Sequence, residues 1–472
     1  MNYVFYDFET SGTDRYFDQP IQIAAQLVDE KFNVLDEINE KCKLKDGIVP
    51  NPAALLINKV DIDTLENGQS FFQMIDKVYK TFNEWSPAIF FGYNSIFFDE
   101  VVLRQSLYQS MYSPYLTNTN KNRRSDIYNI VLGLDKLKPG LVKRGFNPKT
   151  EKESYKLEHL ATANNLEQET AHDALSDVVA TRELAKLISE CDSNFWNHCL
   201  NISEINYCKE YVQNDDIFLI APGYPSQKYA IASFLTVNPY RDKEVAFFDL
   251  KNNPSEYMEL KTSQIISLLQ GKNKIMKTLE INKSPIILNS DFLDSSKVFD
   301  NKEISIFRDH QKQLNNQEQF INRLNHALVE IQEDRELNYP MPDFLETQIY
   351  ASFVSADDTK MMEEFKDCKV DDLKYNMSKN FSDPRLREIG YRIIYSENPD
   401  ILPKEKLKER RQFLAQKVLS TDDGVKWCTI EKAKKDLEEI KTKDKFPEEK
   451  GFIKEIEEFI LKEEIRYKAY LT

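Results

Sequence analysis

Over the first 190 or so residues, short β-type runs alternate with helix-like stretches, and this alternation restricts the fold more than any other feature of the chain. Tyr3 to Tyr6, Ile21 to Val28 and Ala88 to Phe91 are strand-like, whereas Phe71 to Trp85, Glu100 to Tyr108 and Ala174 to Ile188 read as helices. Strands interleaved with helices give an α/β layer structure. From about Asn194 the texture changes. Ile217-Phe218-Leu219-Ile220, Tyr229 to Thr236 and Val245 to Leu250 are β-rich, separated by turn clusters such as Pro222-Gly223-Tyr224-Pro225 and Asn252-Asn253-Pro254, as in a small β-dominated domain. A helix-like stretch over Phe307 to Ile331 follows. Asn338-Tyr339-Pro340-Met341-Pro342-Asp343 reads as a linker, since its two prolines cannot continue a helix. Beyond it, Lys404 to Val418 and Glu449 to Tyr467 carry apolar residues at helical spacing among many charges. A chain of 472 residues has room for several cores, and three domains are expected, over 1–193, 194–342 and 343–472.

No apolar run reaches the roughly 18 residues that a membrane span needs. Met1 leads directly into a strand-like run, without a basic lead or cleavage site, so a cytoplasmic protein is expected. Cys42, Cys191, Cys199, Cys208, Cys368 and Cys428 form no CxxC pair, which points to neither a zinc site nor a disulfide framework. The net charge of −15 argues against a uniform electrostatic hold on nucleic acid, but it says nothing of local patches. Between Lys136 and Lys156 the chain carries Lys136, Lys138, Lys143, Arg144, Lys149, Lys152 and Lys156 against Asp135, Glu151 and Glu153. Alone, that stretch fits a solvated loop as well as a phosphate-tracking surface.

Three short blocks carry the chemistry. Asp7-Phe8-Glu9-Thr10 follows an apolar strand directly, and side chains on a strand alternate faces, so Asp7 and Glu9 project to the same side. Such a pair repels unless a cation lies between its members, and a hard divalent ion such as Mg²⁺ takes oxygen ligands of this kind. In isolation the pair also fits a solvent-facing acidic strand end. The second block, Gly92-Tyr93-Asn94-Ser95-Ile96-Phe97-Phe98-Asp99, places another carboxylate at the start of a helix-like segment, where such a residue taken alone is more often an N-cap than a ligand. The third is His172-Asp173-Ala174-Leu175-Ser176-Asp177. Residues five apart on a helix point about 140° from each other. His172 and Asp177 therefore converge only if His172 sits in the loop before the helix, with Asp173 as the cap.

Together, in this order, the blocks resemble the motifs of the DEDDh 3′–5′ exonucleases. Lys156-Leu157-Glu158-His159-Leu160, Tyr112-Ser113-Pro114-Tyr115, Ile281-Asn282-Lys283-Ser284-Pro285, Phe353-Val354-Ser355-Ala356-Asp357-Asp358 and Asn398-Pro399-Asp400-Ile401-Leu402 extend the resemblance to bacterial exonuclease I across nearly the whole chain. The resemblance implies an α/β ribonuclease-H-like exonuclease domain, then an SH3-like β-barrel domain, then an all-α C-terminal domain around a groove for single-stranded DNA. It also implies 3′ to 5′ degradation of that strand to 5′-mononucleotides, in DNA repair and recombination, with two Mg²⁺ ions for which Mn²⁺ can substitute. Asp7 would bridge the ions, Glu9, Asp99 and Asp177 would complete their shells, and His172 would be the general base. Glu9, Lys156, Arg104 and Tyr115 match positions that contact the substrate. Lys156 stands where the family carries Arg, keeping the charge but not the bidentate fork. Arg104 and Tyr115 also fit a surface helix Arg and a half-buried core Tyr, and His159, between Leu157 and Leu160, fits a packing role. The resemblance further suggests a monomer and a partner, the acidic C-terminal tail of the single-stranded-DNA-binding protein, with Arg308 in Ile306-Phe307-Arg308 as the local candidate; Arg308 also fits an ordinary helix surface. Other readings are a DEDDh exonuclease acting on RNA or in proofreading, and a catalytically silent nucleic-acid-binding scaffold.

Overall fold

The computed structural model describes residues 1–166, 173–214, 216–221, 229–271, 275–296, 298–338 and 342–472. Its first sheet contains β1 (Asn2–Thr10), β2 (Pro20–Val28), β3 (Val34–Lys41), β4 (Ala88–Gly92) and β5 (Arg123–Asp126), in the order β3-β2-β1-β4-β5. β1, β2 and β3 form an antiparallel meander, while β4 runs parallel to β1 and β5 parallel to β4. Parallel neighbours need crossovers, and helices Phe71–Glu84 and Asp99–Gln109 lie in those connections. Alternation along β1 divides its residues between two cores. Tyr3 and Phe5 join Phe91 and Trp196 on one face, and Val4, Tyr6 and Phe8 join Phe82 and Phe90 on the other.

Helix Phe71–Glu84 shows how the sequence produces this layer. Ser70 and Gln73 close a capping box at its start, and Phe71, Met74, Ile75, Val78 and Phe82 form one buried stripe. Each such side chain contributes about 1.5–3 kcal/mol on burial. Losing the Ser70 cap would cost about 1 kcal/mol.

The hairpin of β6 (Gly145–Asn147) and β7 (Lys152–Ser154) separates this sheet from a second one. The second sheet contains β8 (Phe218–Ala221), β9 (Ala230–Val237), β10 (Glu244–Asp249), β11 (Met276–Glu280) and β12 (Ile286–Leu288), paired antiparallel in the order β11-β10-β9-β8-β12. The barrel expected here is seen among the described residues as an open ladder, because β12 pairs with β8 and not with β11. The turn cluster at 222–225 lies outside the described residues, as do 339–341 of the expected linker. The stretch expected as one helix over Phe307 to Ile331 is two, Asn301–Leu314 and Glu318–Asn338, with Asn316 between them at φ 59°. Everything after Asp343 is helical or coil.

The cores run across the chain's segments. Phe5, Phe91 and Trp196 share one cluster with Leu219, Ile231, Phe248 and Leu324. Leu55, Leu56 and Tyr108 share another with Ile393, Leu414, Ile456 and Tyr467. The first sheet's layer is thus fastened on two sides by later residues.

Candidate metal-binding active site

The C-terminal half of β1 carries Asp7 and Glu9, paired across the sheet with Ala24 and Gln22. Helix Ala174–Cys191 packs over β1 and β2 and brings Asp177 to them. One carboxylate oxygen from each of Asp7, Glu9 and Asp177 lies within 4.8 Å of the others. Asp173 is the N-cap of this helix, as expected: its carboxylate accepts the Ser176 N–H at 3.3 Å and the Gln22 side-chain amide at 3.0 Å. The cap thereby ties the helix start to β2 beside the acids.

Asp99 is not an N-cap. Helix Asp99–Gln109 starts at Asp99 without a side-chain cap, and Asp99 Oδ1 accepts the Phe8 N–H of β1 at 3.2 Å. The turn before it is shaped by groups that sequence reasoning missed. Asp126, at the end of β5, accepts N–H groups of Asn94 at 2.8 Å, Tyr128 at 3.0 Å and Ile96 at 3.1 Å, and so holds Asn94 in the left-handed conformation, φ 57°. A Cβ on Gly92 would meet Ser95 Cβ at 2.5 Å, so this tight approach requires glycine. The available signal was an acid closing a strand just before a helix, as Asp7 and Glu9 close β1.

Burial, then the charges of Asp99, Glu9 and Asp177, holds Asp7 well above the usual carboxylate range. Burial, then Asp177 and Asp99, pushes Glu9 up to about 9, and burial pushes Asp99 to about 7. Among the described residues no Lys or Arg pairs with Asp7, Glu9 or Asp99. Clustered, desolvated carboxylates of this kind suit a hard divalent cation. His172, the expected base, lies outside the described residues.

The expected substrate-binding residues occupy different settings. Arg104 is largely buried; its Nε donates to Glu100 at 2.7 Å, an Nη donates to Tyr350 Oη at 3.3 Å, and its guanidinium lies 5.5 Å from the ring centre of half-buried Tyr115. Lys156 is exposed and stands 3.4 Å from Glu158 at the start of helix Leu157–Asn164. His159 is half-buried, with Nδ1 2.7 Å from Ser154 Oγ and Nε2 3.3 Å from Glu158. Much of the basic stretch is internally matched: Arg144 binds Asp135 and Glu153, Lys138 binds Asp192 at 2.6 Å, and Lys136 lies 4.4 Å from the Tyr229 ring centre. Arg308 pairs with Asp294 at 2.7 Å beside a cavity of about 420 Å³.

A family model described as "Exonuclease" matches residues 4–185, the segment that holds this sheet and the acids clustered at the end of β1, and so gives the class of protein. A second, described as "Exonuclease I C-terminal domain", matches residues 343–463. The chain belongs to the bacterial exonuclease I family of the DEDDh superfamily. The exodeoxyribonuclease I of Buchnera aphidicola subsp. Schizaphis graminum is 25% identical over 431 residues, covering 87% of this chain and 86% of the relative. That of Escherichia coli strain K12 is 28% identical over 314 residues, covering 62% and 64%. The crystal structure of E. coli exonuclease I in complex with a dA16 oligonucleotide shares the fold, with a TM-score of 0.84 at 21% identity over 98% of this chain and 99% of that one. A zinc-bound form of the E. coli enzyme with single-stranded DNA gives 0.82, with the same identity and coverage. No helix among the described residues is long and apolar enough to cross a membrane.

Proposed function

We propose that this protein removes nucleotides from the 3′ end of single-stranded DNA, releasing 5′-mononucleotides by hydrolysis that depends on two Mg²⁺ ions. The observation that carries this reading is the meeting of Asp7, Glu9 and Asp177 within 4.8 Å, beside the buried Asp99. Asp7, Glu9, Asp99 and Asp177 would hold the ions. Bound ions would activate the attacking water and stabilise the leaving 3′-oxygen. His172 accepts the water's proton, which an imidazole with a pKa near 6.5 can do at neutral pH. Asp173 and Asp126 keep their elements in register, one fixing the helix that carries Asp177 and the other the turn before Asp99. Glu9, Lys156, Arg104 and Tyr115 contact the terminal nucleotides, with Glu100 and Tyr350 orienting Arg104.

The names of the curated relatives and the C-terminal domain match favour DNA over RNA and a trimming enzyme over a silent scaffold. By the same resemblance the enzyme is a cytoplasmic monomer that serves repair and recombination. The open ladder of β8 to β12 forms an SH3-like domain, and Arg308 receives the acidic tail of the single-stranded-DNA-binding protein. The test uses 3′- and 5′-labelled oligonucleotides, single- and double-stranded, with Mg²⁺, with Mn²⁺ and with chelator. Release of mononucleotides from the 3′ end of single strands, abolished by chelation, is the expected result. Cleavage that survives chelation, or proceeds from the 5′ end, would overturn the reading.

A further inference from the structure

A cavity of about 750 Å³ lies between loops 16–18 and 43–48 of the first segment and helices Pro384–Glu397 and Lys404–Val418 of the last. None of Asp7, Glu9, Asp99 and Asp177 lines it. Six basic side chains face four acidic ones there, and three of the acids are already engaged. Asp46 binds Arg466 at 2.6 Å and Tyr395 Oη at 2.7 Å, Glu346 binds Arg392 at 2.7 Å, and Asp18 accepts the Ser11 hydroxyl and the Asp14 amide.

The bases are less well matched. Lys45 Nζ donates to the neutral Gln109 side chain at 2.7 Å and lies 4.0 Å from the Phe71 ring centre. Lys417 lies 5.4 Å from the Trp427 ring centre. Neither these lysines nor Lys43 nor Arg411 forms an ion pair among the described residues, and Nε of both Arg410 and Arg411 is buried without a hydrogen-bond partner there. Burial pushes Lys45 down to about 7 and Lys417 down to about 8 against the opposing charge of Glu346; Arg392 acts with burial on both, joined by Lys417 at Lys45 and by Arg410 at Lys417. The six basic side chains outnumber the four acidic ones, and although Glu388 pairs with Arg410 at 3.3 Å and Glu346 opposes the effect of burial on both lysines, a bound anion would favour their charged forms.

An aromatic cluster adjoins Lys417. Phe17, Phe344 and Trp427 pack with ring centres 5.4, 5.6 and 5.8 Å apart, and Phe344 is 40% exposed. The volume falls within the range of about 300–1,000 Å³ typical of small-molecule sites, far more than a single phosphate fills. We propose that this cavity binds a small phosphorylated ligand bearing a planar ring, of the nucleotide class. Lys45, Lys417 and the Arg410-Arg411 pair hold its phosphates, and the Phe344 and Trp427 wall takes its ring. This proposal does not depend on the nuclease reading.

The test uses the full chain in chelator without DNA, with deoxyadenosine 5′-diphosphate, inorganic pyrophosphate and deoxyadenosine as probes. Trp85 and Trp196 are only 7% and 3% exposed, so quenching of tryptophan fluorescence reports mainly on Trp427; calorimetry measures pyrophosphate. Saturable quenching by the diphosphate is expected, with the two partial probes at least tenfold weaker. Lys417→Met and Lys45→Met, each checked for a cooperative thermal transition, should weaken binding at least tenfold, and Asp7→Asn should leave it unchanged. No saturable binding of the diphosphate below millimolar concentration would overturn the proposal. So would binding that is lost in Asp7→Asn and kept in both lysine variants, since that would place the ligand at the acidic cluster. Pyrophosphate binding as tightly as the diphosphate would overturn the assignment of the aromatic wall.

Discussion

Asp99 and Glu100 are consecutive, both buried, and opposite in kind. Asp99 faces the acids of β1, receives the Phe8 backbone N–H, and is pushed by burial to about 7. Glu100 turns the other way. Burial opposes its charge too, but Arg124 and Arg104, with the Thr117 hydroxyl, hold it below the usual carboxylate range. One acid is satisfied by the protein and serves stability; the other has no cationic partner among the described residues and is one of those proposed to hold a metal ion. Acidity and burial alone therefore do not mark a functional carboxylate. The missing counter-charge does.

The sharpest way to break this contrast is to remove an unmatched acid. Asp7→Ala should lower turnover by at least about 10²–10³-fold while the thermal transition stays within a few degrees of wild type, since no ion pair to Asp7 is lost. Turnover above a few per cent of wild type in the oligonucleotide assay would mean that Asp7 does not hold the ions. On the matched side, Glu100→Ala strands Arg104 and Arg124 in the interior and should cost about 3–5 kcal/mol in urea denaturation. Unchanged stability would erase the distinction between the two neighbours.

A smaller effect separates them through the ion itself. Mg²⁺ at 100 times its dissociation constant should stabilise the wild type by about 2.7 kcal/mol, Glu100→Gln by about as much, and Asp7→Asn by far less. Melting curves across a Mg²⁺ titration provide the measurement, and an equal shift in Asp7→Asn would place the ion elsewhere. The smallest effect concerns the cavity, where the unmatched charge is positive. Lys45 falls from 10.5 to about 7 on folding, so between those pH values the unfolded chain carries a proton that the folded one lacks. Its contribution to stability therefore falls as pH drops from 10.5 to 7, by at most about 1.4 kcal/mol per pH unit. Lys45→Met should accordingly gain stability relative to wild type between pH 9.5 and pH 7.5 in paired urea titrations. A difference that does not change with pH would show that Lys45 stays protonated in the folded chain.

What the sequence disclosed follows from periodicity. Asp7 and Glu9 were legible because a strand's repeat of two puts them on one face, and Asp173 because a cap precedes an apolar helical pattern. Asp126 and Glu100 were not, since their partners are backbone amides and guanidiniums brought from remote positions. The open ladder escaped for a related reason: strand patterns report which residues are extended, not whether the last strand meets the first. Alternation likewise marked the faces of β1 as apolar without saying that Leu324 or Phe248 belongs to the cluster against one of them. Asp99 shows how local reading goes astray, because an acid at a helix start fits a cap until the Phe8 amide is seen to claim it.

Tyr467 is fully buried in the cluster that holds Leu55 and Leu56, and its hydroxyl accepts the N–H of Gly47 at 2.7 Å. During synthesis, more than 400 residues separate the appearance of that loop from the arrival of the side chain that closes it. At roughly 5–20 residues per second the ribosome needs on the order of 20–80 s to bridge the gap. Throughout that interval the apolar face around Leu55 is without its final cover, exposed to chaperones and to aggregation. A nascent chain therefore completes this part of its N-terminal layer only when helix Lys450–Ala469 has emerged.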